Sequence, residues 1–321
     1  MMESNMYLSS FSLIEPEDKF YFYQPSWLNA WESHLFNKAL KSTHANGWGL
    51  KRFGTQPELY AGEMIRNPQY QKYLDAMEQA ADDALMALPA KERMKLLKQR
   101  TAFIYVDSWG ESGPFENISS ALHISMIDTL PKNLVKKFSV NSPTCKIRGE
   151  RQSFIQAMSL AKDYLNWDVF DYVVICAAYR AIPVLVFSDE DIALKWGEKR
   201  RGKAQDVNLT VERAGCFIFS QYESAIRVNG GQYVMADTLE DTQAADRVAF
   251  AGLRKEMLSR STVSPQKTLD LVDTFGASGC LTPALSFAYL QQAPHFAGKL
   301  RTVVPDKQFG YSYFDIDYCK E

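Results

Sequence analysis

The alternation of apolar and polar positions divides the chain into helical and extended segments without a gap that would separate domains. Over NPQYQKYLDAMEQAADDALMALPAKERMKLLKQR, residues 67–100, apolar side chains recur at three- and four-residue spacings, which predicts amphipathic helix. TAFIYVDSW follows directly, a β-branched and aromatic run of the kind buried on both faces of a sheet. A helical stretch near ENISSALHISMIDTLP, 116–131, and a strand over VKKFSVNSP, 135–143, are expected next. ERQSFIQAMSLAKDYL returns to helical spacing, with Phe154, Ile155, Met158, Ala161 and Leu165 along one face and an end near Asn166.

Beyond that helix, DYVVICAAY and AIPVLVFS read as buried strands and AGCFIFSQYESAIRVNG as a strand pair. ADRVAFAGLRKEML reads as a helix, the segment after Gly279 as a second apolar helix, and KLRTVVP with FDIDYC as a closing strand pair. Such alternation is that of a layered α/β fold. No Pro/Gly/Ser-rich linker, low-complexity tract or short repeat interrupts it, so one compact body is expected, with an N-terminal half over 1–180 and a C-terminal half over 181–321.

Composition narrows the classes. A length of 321 residues with 46% apolar content supports a large core. The net charge of −2 is evenly spread, which argues against a nucleic-acid partner, and the stretches EPED and GEKRRGK read as solvated loops. Five cysteines, odd in number and without a CxxC pair, fit packed free thiols in a reducing compartment. The opening MMESNMYLSSF has no basic region followed by an apolar one, and no run approaches the roughly 20 apolar residues of a membrane span. A cytoplasmic location without a membrane span is the expectation.

Three segments, in order, resemble the β-ketoacyl synthase branch of the thiolase superfamily. FSVNSPTC, 138–145, followed by a long helix and DYVVICAAY, is similar to the family's strand that runs into a nucleophilic cysteine at a helix N-terminus. DTFGASGCLTPALSFAYL, 273–290, resembles the glycine-rich turn and apolar helix, with Gly276, Ala277, Ser278 and Gly279 as the small residues. FGYSYFDIDY, 309–318, is similar to the C-terminal glycine turn and following strand, Phe309 and Gly310 matching and Ser312 and Tyr313 replacing glycines. AGCFIF, around Cys216, stands where the family has a glycine-alanine strand, and the outline covers roughly residues 100–321. The resemblance implies a thiolase-like αβαβα fold with two similar mixed-sheet halves. It also implies Cys145 as the catalytic thiol position, Asp273 at a family histidine position, Phe309, Gly310 and Tyr311 as a substrate-binding turn, and no cofactor or metal.

Decarboxylative condensation needs a thiolate, two imidazoles to polarise a malonyl thioester and a backbone oxyanion hole. The four histidines, His34, His44, His123 and His295, all lie off the motif positions, no HGTGT-like segment lies between Gly230 and Asp273, and Lys267 stands one place from the family's lysine. A carboxylate at Asp273 repels a malonyl carboxylate or an enolate. CKIRGERQSF places Lys146, Arg148 and Arg151 where the family has small residues, so the basic side chains either lower a thiol pKa or fill the acyl site. Cys145 therefore stands as nucleophile or structural thiol, His123 as satisfied core histidine or base, and the Phe309–Tyr311 turn as structural or gating.

A retained fold with a depleted site is what the resemblance associates with a chain-length factor. Such a chain forms a heterodimer with an active β-ketoacyl synthase, meets acyl carrier protein through the complex, and serves type II fatty-acid or polyketide synthesis, for instance of aryl polyenes. Two alternatives remain at this point: an acyltransferase using Cys145, and a homodimeric acyl-binding protein.

Overall fold

A computed structural model of the chain describes residues 6–17, 19–25, 30–43, 45–53, 68–108, 132–140, 145–148, 151–188, 207–236, 238–239, 245–252, 263–306 and 309–319. The strands are β1 (Tyr7–Ile14), β2 (Tyr21–Phe22), β3 (Gly47–Lys51), β4 (Thr101–Ser108), β5 (Cys145–Arg148), β6 (Tyr172–Tyr179), β7 (Val207–Val211), β8 (Arg213–Ser220), β9 (Ile226–Val234), β10 (Arg247–Phe250), β11 (Thr268–Asp270), β12 (Gly298–Pro305) and β13 (Tyr311–Tyr318). The helices used below are α1 (Ala30–Thr43), α2 (Pro68–Ala87), α3 (Ala90–Leu96), α4 (Lys132–Lys137), α5 (Ser153–Asn166), α6 (Leu271–Phe275) and α7 (Leu285–Gln292).

Ten strands form one sheet in the order β11-β10-β12-β13-β9-β1-β8-β6-β4-β5. Read outward from its centre and numbered in chain order within each side, both sides give the order 1-5-4-2-3. The directions repeat as well: β8 and β13 are antiparallel to both neighbours, while β4 and β10 are parallel to both of theirs. The sheet is thus a duplicated five-strand unit joined at β1 and β9, the two similar mixed-sheet halves of the expected fold. We place the changeover between units in the turn between Ser220 and Ile226, because β8, which lies beyond residue 180 in the chain, completes the first.

Alternating strand positions feed three apolar layers. On β4, Ala102, Ile104 and Val106 face a middle layer shared by both units, whereas Phe103 and Tyr105 face α2 and α4 on the outside. Cys176 and Cys216, paired across β6 and β8, lie in that same outer layer, where burial raises the Cys216 thiol pKa and the neighbouring Cys176 adds to it. Helix α5 crosses the middle layer, touching β4, β5 and β6 of its own unit and β9 and β13 of the other. There Phe217 packs against Phe154 at 5.0 Å, Phe287 at 5.8 Å and Phe11 at 5.9 Å between ring centroids. A second sheet, β2-β3-β7, stands apart, its Trp48 and Leu50 buried in the middle layer.

Several expectations hold. α2 and α3 occupy the long amphipathic segment with a break at Pro89, α5 ends at Asn166, the runs at β4 and β6 are strands, and β12 pairs with β13. Four are corrected. The pair expected over AGCFIFSQYESAIRVNG forms two strands, β8 and β9, that do not pair with each other, because β1 lies between them and pairs with both. Residues 132–137 are helix α4, with Lys136 and Lys137 complementing its C-terminal dipole, so no strand spans 135–143. Residues 183–188 of AIPVLVFS are helical, because Pro183 presets the first helical position and needs no amide partner there. The helix expected over 245–258 gives way at its start to β10, whose Val248 and Phe250 face the outer layer and Ala249 the middle one. The segment 116–131 lies outside the described residues.

Candidate functional site

In parallel β-α-β units, ligand crevices lie outside the carboxyl ends of the strands. Here the carboxyl ends of both units meet. At the start of α5, Gln152 Nε2 donates to the carbonyl of Val304, near the end of β12, at 3.2 Å. Arg151 Nη1 lies 3.0 Å from where a Cβ on Gly252, just beyond β10, would stand. In the opposite sense, the turn before α7 reaches the first unit: Cys280 Sγ lies 3.6 Å from the Ala178 carbonyl near the end of β6. A side chain on Gly279 would overlap the Tyr179 ring, so this approach requires glycine.

The glycine-rich turn is held by hydrogen bonds from the first unit. Ala277 N–H donates to Leu209 O and Val211 N–H to Ala277 O, both at 2.8 Å, which adds the turn to the edge of β7. Ser278 Oγ donates to Val211 O at 2.7 Å. Beneath it, Arg213, 2% exposed, donates from Nη2 to Phe275 O at 2.6 Å, from Nη1 to Gly276 O at 3.4 Å, and from Nη1 to Ser278 Oγ. Its charge is met by Glu15, whose Oε1 lies 2.8 Å from Nε and 2.7 Å from Nη2.

The preceding residue points the other way. Glu212, 3% exposed, accepts from Ala181 N at 3.1 Å and Arg52 Nε at 3.2 Å on Oε1, and from Phe53 N at 2.9 Å on Oε2. Two adjacent buried charges of opposite sign thus organise the segments after β1, β3 and β6 and before α7. Neither residue stands out in the sequence, because both are buried by partners distant in the chain.

The expected site residues are placed as follows. Cys145 is the first residue of β5, paired with Ile104 in mid-β4 and packed half-buried against the middle layer. Cys145 does not stand at a helix N-terminus: it lies in β5, and α5 begins only at Ser153, with Arg151, Gln152 and Ser153 at its start. At a rise of about 3.3 Å per residue, Cys145 sits roughly 10 Å short of the carboxyl end of its strand at Arg148. Cys145 thus lies inside a strand and not in the first turn of a helix, where the dipole acts. Lys146 Nζ lies 5.6 Å from the Tyr105 ring centroid.

Asp273 is in the first turn of α6, where its N–H donates to Asp270 Oδ1 at 3.2 Å and its side chain is exposed. Phe309, Gly310 and Tyr311 end the β12–β13 connection, at the carboxyl end of β12. Phe309 is 42% exposed and its carbonyl accepts from Tyr233 Oη, Gly310 O accepts from Asp306 N at 3.0 Å, and Tyr311, 1% exposed, lies in the second unit's outer layer. His34 and His295 are exposed, on α1 and beyond α7, as is Lys267. His44 and His123 lie outside the described residues. Among the described residues no three His, Cys, Asp or Glu side chains group as metal ligands, and no helix is long and apolar enough to cross a membrane.

No protein-family profile and no curated protein sequence matches the chain. Solved structures do. OleA from Xanthomonas campestris, a ketosynthase-like enzyme of the thiolase superfamily, is similar in a substituted form with cerulenin at 12% identity and TM-score 0.59, covering 98% of this chain and 97% of that one. Cerulenin-bound OleA without a stated substitution gives 10% and 0.60 with 98% of each chain covered. A further substituted form gives 11% and 0.61 with 99% of this chain and 100% of that one. At such identities the likeness shows a thiolase-like fold.

Proposed function

We propose that this chain is a catalytically depleted ketosynthase-like subunit of chain-length-factor type. In this reading it pairs with an active β-ketoacyl-ACP synthase in cytoplasmic type II fatty-acid or polyketide synthesis, such as that of aryl polyenes. The observation that carries the reading is the start of α5. Where a condensing enzyme needs a thiolate on the helix N-terminus, Arg151, Gln152 and Ser153 stand, and Arg151 reaches across Gly252. Support comes also from His34 and His295, whose exposed imidazoles are not available to polarise a buried thioester, and from five free thiols, which suit a reducing compartment. Acyl carrier protein is met through the partner, and Phe309 is the turn residue exposed to contact an acyl chain.

Incubation of the purified chain with an acyl carrier thioester, followed by intact mass measurement, tests the reading. No adduct on the isolated chain, together with a 1:1 complex that elongates acyl chains when an active synthase is co-expressed, is the expected result. An acyl adduct mapped to Cys145 supports the second reading, an acyltransferase, which Cys145 favours through its half-buried position in the middle layer.

A further inference from the structure

We propose that Arg213 and Glu15 form a latch that fixes the glycine-rich turn 275–278 of the second unit to the first, with Arg213 as the positioning residue. The proposal stands apart from the partner-subunit reading, since it concerns what holds the turn and not what the site binds. Arg213 opens β8, and Glu15 follows Ile14, which pairs with Ala214, so the two stand at the next step of the β1–β8 ladder. From that step the guanidinium reaches three acceptors on the turn, the carbonyls of Phe275 and Gly276 and the hydroxyl of Ser278. All three of its nitrogens are engaged, and a planar fork is the side chain suited to such divided recognition.

The two partners differ in exposure. Arg213 is 2% exposed at its side chain and Glu15 40%, so the buried cation is balanced by a carboxylate that solvent reaches. The charged groups that face Glu15 are Arg213 of β8 and Lys51 of β3, the latter at 3.3 Å. Burial pulls the Glu15 pKa up, while Arg213 and then Lys51 pull it down, and the net is below the ordinary carboxylate value. A carboxyl with a depressed folded pKa contributes above its unfolded pKa, and the contribution is lost as pH falls through the folded value. Neutralising Glu15 leaves a buried guanidinium without its counter-charge, which is unfavourable, and the loss falls on the turn whose two carbonyls and hydroxyl that guanidinium holds.

Hydrogen–deuterium exchange of the full chain, corrected for intrinsic rates, tests the latch. At neutral pH, Arg213→Met is expected to speed exchange in the peptide over 272–282 by about ten- to a hundredfold, the range for losing hydrogen bonds to a charged group, with peptides of α2 unchanged. Arg213→Lys is expected to fall between. The parent chain is expected to lose protection in that peptide as pH drops below the ordinary carboxylate range. Glu15→Gln is expected to show partial loss already at neutral pH and a flat profile below it. Turn exchange that Arg213→Met leaves at the parent rate, or raises equally in α2, overturns the proposal. If Arg213→Met does not fold, a Glu15→Gln profile that keeps the parent's pH dependence overturns it equally.

Discussion

The contact of α5 with β9 offers a quantitative test of how the two units are joined. Gly231 has φ 54° and its carbonyl accepts from Ser159 Oγ at 3.3 Å, while Lys162 Nζ donates to Gly230 O at 3.0 Å. A Cβ on Gly231 would overlap Ser159 Oγ outright and stand 2.8 Å from Ser159 Cβ and 3.3 Å from the Ile155 carbonyl. Rotating Ser159 removes the first conflict only, because its Cβ is fixed by the helix. Gly231→Ala therefore combines a left-handed backbone, about 1–2 kcal/mol, with overpacking of about 1–3 kcal/mol, and a loss of roughly 2–5 kcal/mol is expected. Ser159→Gly alone costs about 1–2 kcal/mol through helix propensity and the lost hydrogen bond, yet it removes the obstructing atoms. In the double variant most of the overpacking is relieved and only the 3.3 Å approach to the Ile155 carbonyl remains, so the two losses fall short of additivity by about 1–2 kcal/mol. Urea unfolding followed by tryptophan fluorescence, at constant slope, measures all three. A Gly231→Ala variant within about 0.5 kcal/mol of the parent, or strictly additive losses, refutes the described contact.

Two further stability tests address the site's frame and the middle layer. Glu212→Gln puts an amide N–H₂ against Phe53 N or Arg52 Nε, both donors, and leaves Arg52 buried at 5% exposure without its carboxylate, so a loss of about 3–5 kcal/mol is expected in the same unfolding assay. A loss below about 1 kcal/mol, the range of exposed pairs, refutes the buried-pair assignment. Phe217→Ala removes a fully buried ring packed against Phe11, Phe154 and Phe287, and about 3–5 kcal/mol is expected. A melting temperature unchanged by this substitution shows that the rings do not pack as described.

How much of this was legible depends on where each residue finds its partners. β6 and α5 were readable because their burial follows from runs and spacings within the segment itself. β1 was not, although it stands at the centre of the sheet. Its Ser9, Ser10 and Ser12 erase the apolar signal, and two of them are satisfied only at a distance: Ser9 Oγ lies 2.8 Å from Ser220 Oγ, and Ser10 Oγ donates to Ala84 O at 2.7 Å. β10 was read as helix because four apolar-rich residues do not distinguish a buried strand from a helical turn; parallel neighbours on both sides decide it. At the site, Gly276–Gly279 was found by its small residues, whereas Arg213, which holds it, lies more than sixty residues away in the chain.

The resemblance put Cys145 near a helix N-terminus, whereas the residue lies in β5 and the helix begins at Ser153. A cysteine at a helix N-terminus is activated by unpaired N–H groups, and that position exists in this fold at the start of α5. The chain fills it with a cation. Helix α5 has no acidic residue in its first turn and no side-chain cap, and Arg151 stands just before it. What the geometry offers is space: the guanidinium lies against the backbone of Gly252, where a side chain would crowd it, and Gln152 beside it ties α5 to β12. The start of the helix thereby serves as a bracket between the two units, one end tied to β12 through Gln152 and the other seated on Gly252 through Arg151.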